Sequence, residues 1–367
     1  MSNSQTSQTI FISEQSISDF LVTKEFGARV VDLRSSAALS EFAAISQKVP
    51  FAYQQMSPDW VQYDEEYASL HAEQQARYMI VFETNEELDA IWILTLAKFS
   101  DGIQLGTRSL PIQPPLIATS TPNKRTKRII KSCIELGCYI AAHHGLQFWA
   151  SSEYGPTQSG LTNWYSISRL HGATCQLENH LYVDLSLTDL EYRAKIRSSN
   201  KSTLSAGFKR WKPEIYTGES QSEWDEFRDL HRVVSGRVTR SKATWDIQFQ
   251  MIKSGSGFAV FTRNANRSLV GGIFIAHTQD EGLYVTGVFD RDLNDPSLGH
   301  ISQSCGIQEL KRRGVRWYKL GERPFPSTQS IIDEKELAIA HFKDGYATHT
   351  FPHLLFKHSA MFRPIQI

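Results

Sequence analysis

The stretch VGGIFIAHTQDEGLYVTGVFDRDLNDPSLGHISQSCGIQELKRRGVRWYKLGE, from Val270 to Glu322, decides the fold of this 367-residue chain. Its first half holds two apolar runs separated by a polar turn, which predicts two adjacent antiparallel strands. The segment from His300 to Arg313 has helical periodicity and is ended by Gly314. The apolar run VRWYKLGE then predicts another strand. We therefore expect a strand, strand, helix, strand unit here.

The flanking sequence extends this unit in both directions. Upstream, GFAVFTR predicts a strand before the turn from Asn264 to Arg267, and two helices, Ser222 to Val234 and Asp246 to Ser254, come before it. A short strand from Pro213 to Tyr216 precedes both helices. Downstream, a helix near Asp333 to Phe342 leads into a last strand, HLLFK. This order predicts an α+β layer in which helices flank a mixed, mainly antiparallel sheet.

A basic segment, TDLEYRAKIRSSNKSTLSAGFKRW, stands at the head of this layer, behind the strand HLYVDLSL. Thr188 followed by Glu191 forms a capping box, so the segment predicts a helix that continues to Trp211. Its cations either contact tRNA or another polyanion or are simply its solvated face. They are Arg193, Lys195, Arg197, Lys201, Lys209 and Arg210.

The first half of the chain has a less distinctive pattern. Its predicted elements are helices at Glu14 to Val22 and Ser36 to Ser46, strands at Ala76 to Phe82 and Leu88 to Phe99, the helix in KRIIKSCIELGCYIAAHHG and the strand in LQFWASS. The segment from Ser109 to Lys124 holds four prolines and predicts a surface loop. Aromatic residues flank the stretch from Tyr154 to Gly160 and either line an interdomain cleft or pack in the core; they are Trp149, Trp164 and Tyr165.

Length and composition indicate two domains, residues 1–180 and 181–367, because single cores rarely exceed about 300 residues. The formal net charge is zero, which argues against binding to DNA. The four cysteines form no CxxC pair, and we expect neither disulfides nor zinc, nor a metal at His143 and His144. The sequence has no secretory signal and no membrane-spanning run, so we expect a cytoplasmic protein.

Several of these strings resemble the FemAB branch of the GNAT superfamily of acyltransferases. They are YRAKIRSSNKSTLSAGFKRW, VGGIFIAHTQDEGLYVTGVFD, HISQSCGIQELKRRGVRWYKLGE and KELAIAHFKDGYA, the last similar to the family's Phe-Lys-x-Gly-Phe/Tyr segment. The resemblance spans roughly Tyr182 to Ala347 and implies two GNAT-like domains in tandem. The first domain is assigned as GNAT-like by analogy, because the family is built as a tandem.

The chain departs from the family pattern at two places. GNAT enzymes hold the pyrophosphate of coenzyme A with a glycine-rich loop at a helix start. The corresponding segment here, DRDLNDPSLGHISQS, has one glycine, Gly299, and three acidic residues, Asp290, Asp292 and Asp295. The resemblance to Fem-type enzymes implies aminoacyl-tRNA as an alternative donor. At the second place, Lys319 stands where the family often has Asp.

Acyl transfer to an amine needs a base, a donor to the developing oxyanion and a slot that aligns the substrates. His300, at a predicted helix start, is a candidate base because the helix dipole disfavours imidazolium. Glu322, after the glycine that ends a strong strand, is the other candidate base. Tyr284 either donates a hydrogen bond to the acyl oxygen or packs in the sheet.

Candidate substrate-binding residues lie in three places. The connector from Ser235 to Trp245 carries Arg and hydroxyl groups suited to phosphate or carboxylate, or is a solvated linker. Two more cations lie within and directly after the predicted strand VRWYKLGE, and one lies in the FKDGY string. The set is Arg237, Arg240, Ser241, Trp245, Lys319, Arg323 and Lys343.

These residues and the resemblance together predict an N-acyltransferase acting on an amine of a sugar, peptide or cell-envelope or polysaccharide precursor. The co-substrate is an acyl-CoA or an aminoacyl-tRNA, no cofactor is bound permanently, and tRNA is a possible partner. The alternative is a non-catalytic carbohydrate- or RNA-binding protein that keeps the tandem fold.

Overall fold

The fold is that of a computed structural model that describes residues 11–24, 27–70, 72–106, 111–153, 156, 162–325 and 333–358. The helices are α1 Glu14–Thr23, α2 Ser36–Ser46, α3 Pro58–Ser69, α4 Asn123–His143, α5 Asn163–Leu170, α6 Asp189–Lys195, α7 Ser198–Arg210, α8 Gln221–Ser235, α9 Lys242–Lys253, α10 Ser297–Arg312 and α11 Glu334–Asp344. The strands are β1 Ala28–Asp32, β2 Gln74–Thr84, β3 Glu87–Phe99, β4 Gly102–Leu105, β5 Leu116–Ile117, β6 Phe148–Glu153, β7 Thr174–Asp184, β8 Glu214–Tyr216, β9 Gly257–Arg263, β10 Leu269–His277, β11 Glu281–Phe289, β12 Trp317–Glu322 and β13 His349–His358. The predicted α+β class is confirmed.

The strands form two sheets. The first has the order β1-β2-β3-β4, with β5 also paired to β3, and the second has the order β6-β13-β7-β12-β11-β10-β9-β8. Within them β11 and β12 pair parallel and the other strand pairs are antiparallel. The expected boundary at residue 180 lies within β7, and β6 joins the second sheet from the first half of the chain.

Each face of the second sheet is covered by helices. One face packs against α8 and α9 in an aromatic cluster that α3 of the first half joins through Trp60 and Tyr63. The other face packs against α10, which in turn lies on α7. The first half of the chain therefore contacts the α8 and α9 side.

The predicted basic helix is wrong as one element, because it is divided into α6 and α7. The capping box of Thr188 and Glu191 opens α6 as predicted, but Ile196 and Arg197 have extended backbones. The backbone amide of Arg197 donates to Gly345 O, and its guanidinium contacts the carboxylate of Asp344 at 3.1 Å. These contacts with the end of α11 stabilise the break in place of intrahelical hydrogen bonds.

Two predicted helix starts are also corrected. Helix α9 begins at Lys242 rather than Asp246, because the Ser241 side chain accepts from the Thr244 amide and caps the helix. Helix α10 begins at Ser297, so His300 lies in its first turn instead of at its start. In the proline-rich segment, the predicted loop contains the two-residue strand β5.

The parallel pair β11 and β12 separates after a short contact. Pairing covers Glu281 to Leu283 against Trp317 to Lys319 and stops there. The register of β12 with β7 also shifts between Lys319 and Gly321, where Gly321 has φ of 119°. This bulge needs glycine and redirects the last residues of β12.

A buried carboxylate joins the two halves of the chain. Glu281, at the start of β11, is fully buried and accepts hydrogen bonds from the Gln54 amide at 2.8 Å and from the Tyr182 hydroxyl at 2.9 Å. Its neighbour Asp280 accepts from the Ala52 amide at 3.0 Å. The segment from Ala52 to Gln54 is thereby fixed against the turn between β10 and β11.

Two further properties of the chain bear on its class. All four cysteines are free thiols, with Cys133 and Cys138 buried in α4. Among the helices in the described ranges, none combines the length and the apolarity that crossing a bilayer requires.

We expect Glu281→Ala to lower the free energy of unfolding by about 2 to 4 kcal/mol, because it leaves the buried Gln54 amide and the Tyr182 hydroxyl without this acceptor. Tyr182→Phe removes one of the two bonds and should cost about 1 kcal/mol. Urea unfolding monitored by tryptophan fluorescence measures both, with the exposed Glu86→Ala as control. Equal stability of Glu281→Ala and the control would contradict this role for the carboxylate.

Candidate functional site

A cleft of about 750 Å³ lies between the two halves of the chain. One wall comes from the first half and carries glutamine side chains and Trp149; the other comes from the second sheet and carries charged and imidazole groups. Its lining includes Gln55, Gln104, Gln113, Gln147, Trp149, Glu178, His180, Glu322 and His353. The polar lining suits a hydrophilic ligand.

Three adjacent strands bring the charged wall together. Glu178 and His180 are two residues apart on β7 and so share one face of the sheet. His353 of β13 is paired with Glu178, and Glu322 of β12 is paired with His180. Paired residues point to the same face. The four side chains therefore form one row across the sheet.

The geometry within this row is compact. His353 Nδ1 lies 2.9 Å from Glu178 Oε2, and His180 Nε2 lies 3.8 Å from the same oxygen. The two imidazole rings stack with centroids 4.3 Å apart. One ligand atom from each of these three residues lies within 4.8 Å of the others, which is a geometry that can hold a metal ion.

Burial shifts the protonation of two members of the row. It holds the pKa of His180 well below its usual value, and the charges of Lys319, His353 and Lys343 lower this pKa further. It also raises the pKa of Glu322, and the nearby carboxylate of Glu178 adds to that rise. His180 is therefore neutral at pH 7, and Glu322 accepts a proton more readily than an exposed glutamate does.

Lys319 connects the sheet to the first half of the chain. Its side chain is 2% exposed, and its Nζ donates to Gln55 Oε1 at 2.7 Å. Gln55 itself lines the cleft. The lysine at the position where the family often has Asp thus fixes a cleft-lining amide.

Lys343 lies on the opposite face of the sheet from the cleft. Its Nζ is 5.1 Å from the ring centroid of Tyr284, and a Cβ built on Gly321 would lie 2.9 Å from the same Nζ. The ammonium group therefore lies where β11 and β12 separate. Burial lowers the pKa of Lys343 to about 8 and raises the pKa of Tyr284 to about 12.

His300 is placed away from the cleft lining. Its Nδ1 is 2.5 Å from the Tyr346 hydroxyl, and its ring packs edge-on against Phe342. Burial lowers the pKa of His300, as does the charge of Arg197, and both favour the neutral ring. These contacts tie α10 to α11, the helix that carries Lys343.

Arg323 also contacts α11. Its Nε lies 4.0 Å from Asp344 Oδ1, and its backbone amide donates to Asn179 O, which extends the pairing of β12 with β7. Its guanidinium lies over the ring of Phe325. The structure therefore places Arg323 in the support of the strand end.

The connector between α8 and α9 forms a second, basic pocket of about 160 Å³. Trp245 is buried and Ser241 bonds Glu66 of α3 at 2.8 Å. Arg240 lies 5.4 Å over the Trp245 ring, while Arg237 is exposed at the rim. The lining includes Arg228, His231, Arg232, Arg237, Arg240, Lys242 and Trp245.

In the segment that corresponds to a coenzyme A loop, the carboxylate of Asp295 accepts hydrogen bonds from the chain itself. Asp295 accepts from the Ser297 amide at 2.9 Å and the Trp211 indole at 2.8 Å, and it pairs with Arg210 at 3.1 Å. Pro296, at the helix N-cap, has no amide hydrogen to offer. The start of α10 therefore presents an anion where a pyrophosphate would need donors.

Other aromatic and histidine predictions are placed as follows. Trp149 lines the cleft, Trp164 is buried, and Tyr165 packs edge-on against Phe356. The rings of His143 and His144 are 4.9 Å apart at the end of α4. Most of the stretch from 154 to 160 lies outside the described residues.

Sequence reasoning missed Glu178, His180, His353 and Gln55. The available signal was the pair Glu178 and His180 at the start of the predicted strand HLYVDLSL, with Glu178 two residues before it, since alternate residues of a strand share a face. Their partner His353 is 175 residues from Glu178, and local patterns carry no information about that pairing.

No protein-family model matches this sequence, and no curated protein matches it. Among solved structures, FemX is similar with a TM-score of 0.63 and 11% identity, over 87% of this chain and 95% of that chain. The L-PGS structure from Bacillus licheniformis is similar with a TM-score of 0.57 and 10% identity, over 90% of this chain and 93% of that one. A conserved protein of unknown function from Bacteroides thetaiotaomicron has a TM-score of 0.56 and 7% identity, over 91% and 100% of the two chains. The resemblance to the FemAB branch is confirmed at the level of the fold.

We expect Lys343→Met to be more stable than the wild type by about 2 to 3 kcal/mol near pH 7, and this difference to fall below about 1 kcal/mol near pH 10. The pKa of Lys343 is lowered from 10.5 to about 8. Between these values the unfolded chain binds more protons, so wild-type stability rises with pH across that window. Unfolding free energies at pH 7.5 and 10 measure the effect, with Lys335→Met on the same helix as control. Identical pH slopes in the wild type and Lys343→Met would contradict the burial of this ammonium.

Proposed function

Because the chain has a FemAB-like fold of the GNAT superfamily, we propose that it is an N-acyltransferase that transfers an aminoacyl or acyl group to an amine held in the interdomain cleft. The observation that carries this proposal is the separation of β11 and β12, with Lys343 at one side of the gap and Glu322 at the other. The donor carbonyl and the acceptor amine can meet at that gap.

The acceptor side is the polar cleft. Glu178 and Glu322 attract an ammonium group, and the glutamine amides and Trp149 suit the hydroxyl groups and the flat faces of a sugar or the backbone of a peptide. This composition supports an amino sugar, a peptide or a cell-envelope or polysaccharide precursor as acceptor. It is consistent with a reaction in which the substrate arrives charged and must lose a proton.

The proposed reaction has three steps. Glu322 takes a proton from the acceptor ammonium, and the amine nitrogen attacks the donor carbonyl carbon. The carbonyl electrons move to oxygen, and the resulting oxyanion is stabilised by the ammonium of Lys343 and a hydrogen bond from Tyr284. Collapse re-forms the carbonyl and breaks the bond to the donor oxygen or sulfur, and this leaving group takes the proton that the attacking nitrogen releases. Glu322 then releases the proton of the first step to solvent.

Three other predicted residues act indirectly in this proposal. His300 and Arg323 hold α11, and through it they position Lys343. Lys319 positions the amide of Gln55 in the cleft. They are positioning residues, and their replacement weakens catalysis less than loss of Glu322.

We favour aminoacyl-tRNA over acyl-CoA as donor. The carboxylate of Asp295 repels a pyrophosphate at the start of α10, whereas the basic pocket between α8 and α9 suits a phosphate of an RNA backbone. In that pocket Arg237 at the rim makes the phosphate contact, Arg240 and Trp245 form part of the wall, and Ser241 caps the adjoining helix α9.

The second candidate is a binding protein for carbohydrate or RNA that performs no transfer. The polar cleft with Trp149 favours it to the same extent as it favours an acceptor site. Binding of a glycan in the cleft without any acyl transfer from either donor class would distinguish it from the enzyme.

We expect Glu322→Gln to lower kcat/KM by about 10² to 10³ fold, because the amide cannot accept the proton. His300→Asn should lower it by less than about tenfold, since a positioning residue is lost. Transfer from radiolabelled aminoacyl-tRNA to a panel of amino sugars and peptides measures both, with Glu334→Gln on α11 as control. If Glu322→Gln is as active as the control, Glu322 is not the base.

We expect a non-hydrolysable aminoacyl-RNA microhelix to raise the melting temperature and acetyl-CoA to leave it unchanged. Arg237→Ala should weaken microhelix binding and reduce its salt slope by about one, because one phosphate contact is lost. Thermal shift and fluorescence anisotropy at several salt concentrations measure these effects, with the exposed Lys127→Ala as control. Stabilisation by acetyl-CoA alone would reverse our choice of donor.

A further inference from the structure

Three members of the row, Glu178, His180 and His353, lie close together on the cleft side of the sheet, and the proposed acyl transfer uses only Glu178 among them, to attract the acceptor ammonium. Acyl transfer at the β11 and β12 gap uses Glu322 and does not require these imidazoles. Two histidines and a carboxylate are, however, the ligand types of catalytic zinc sites, which keep one further position open.

We propose that Glu178, His180 and His353 form a binding site for one divalent transition-metal ion, with Zn²⁺ as the best fit, open to the cleft between the two halves of the chain. The ligand atoms are supplied by two adjacent strands, with Glu178 and His180 on β7 and His353 directly across on β13. Strand residues of this kind are held more rigidly than loop residues, which favours a defined geometry.

The spacing of the ligand atoms is close to what zinc needs. In a tetrahedral site with bonds of about 2.0 to 2.2 Å, ligand atoms are about 3.4 Å apart. Two of the distances here are 2.9 Å and 3.8 Å, and the three atoms lie within 4.8 Å of one another. Small side-chain rotations bring all three atoms to bonding distance. The ion then takes the place of the hydrogen bond between His353 Nδ1 and Glu178 Oε2.

The surroundings favour an ion of this type over Ca²⁺ or Mg²⁺. The proposed ligands are two imidazoles and one carboxylate, and the side chains of His180 and His353 are only 12% and 10% exposed. Ca²⁺ and Mg²⁺ prefer oxygen ligands, whereas two imidazole nitrogens suit Zn²⁺ and its first-row neighbours. Lys319 opposes a cation here, and the carboxylates of Glu178 and Glu322 offset that charge.

The direct test is calorimetric titration of the chelator-treated full chain with Zn²⁺. We expect one tightly bound ion per chain in the wild type, and a loss of affinity of about 100-fold or more in His180→Ala and His353→Ala. Glu178→Gln should lose affinity as well while keeping its hydrogen bond to His353, which separates metal loss from misfolding. Unchanged melting temperatures of the metal-free variants check this point.

The control is the double variant His143→Ala, His144→Ala, because these two adjacent histidines lie outside the proposed site. Co²⁺ in place of Zn²⁺ should give intense visible absorption from a tetrahedral site in the wild type and in this control. Absence of stoichiometric Zn²⁺ binding in the wild type would overturn the proposal. So would binding that persists in His180→Ala and His353→Ala but is lost in the control. Because the readout is metal binding alone, it succeeds or fails independently of the proposed acyl transfer.

Discussion

The carboxylate of Glu281 is the interaction on which the arrangement of the two halves depends. It is fully buried and accepts hydrogen bonds from a backbone amide of the first half and a tyrosine hydroxyl of the second sheet. A buried carboxylate costs free energy unless its oxygens accept hydrogen bonds. The two bonds to Glu281 therefore favour the observed contact between the two halves of the chain. Asp280 and Thr278 add bonds to the same segment, at the Ala52 amide and carbonyl. The position of the next residues, including Gln55, follows from these bonds.

The cleft is a consequence of that fixed position. Gln55 is brought over the sheet, where Lys319 donates to it, and the wall of glutamines then faces the row of charged residues on β7 and β12. The sheet itself sets the composition of that row, because pairing of β12 and β13 with β7 places Glu322 and His353 beside His180 and Glu178. The cleft polarity thus results from strand register, and the cleft shape results from the buried carboxylate.

The second sheet was predictable from sequence where the signal is local. Strand β9 was predicted with its observed bounds, and α10 and β12 follow from periodicity and from Gly314. The division of the basic helix was not predictable, because Arg197 is held by Asp344 and by Gly345 O, almost 150 residues away. Glu322 was predicted as a site residue because it follows the glycine that ends a predicted strand. The other three members of the row were not found, since the pairing of β7 with β13 is set by contacts between distant segments.

At the end of β12, the ammonium of Lys343 and the carboxylate of Glu322 lie on opposite faces of the sheet. Gly321 and Glu322 are consecutive, so they face opposite sides of the sheet: the ammonium of Lys343 lies on the glycine side and the cleft carboxylates lie on the other. Burial raises the pKa of Glu322 and lowers the pKa of Lys343 to about 8, so both pKa values are shifted toward neutral pH. Glu322 therefore accepts a proton more readily than an exposed glutamate does, while Lys343 is still mainly an ammonium at pH 7. Only a glycine at position 321 permits this arrangement, since a side chain there would meet the Lys343 ammonium and the backbone has φ of 119°. The bulge in β12 therefore allows one strand to place Gly321 beside the Lys343 ammonium on one face of the sheet and Glu322 in the cleft on the other.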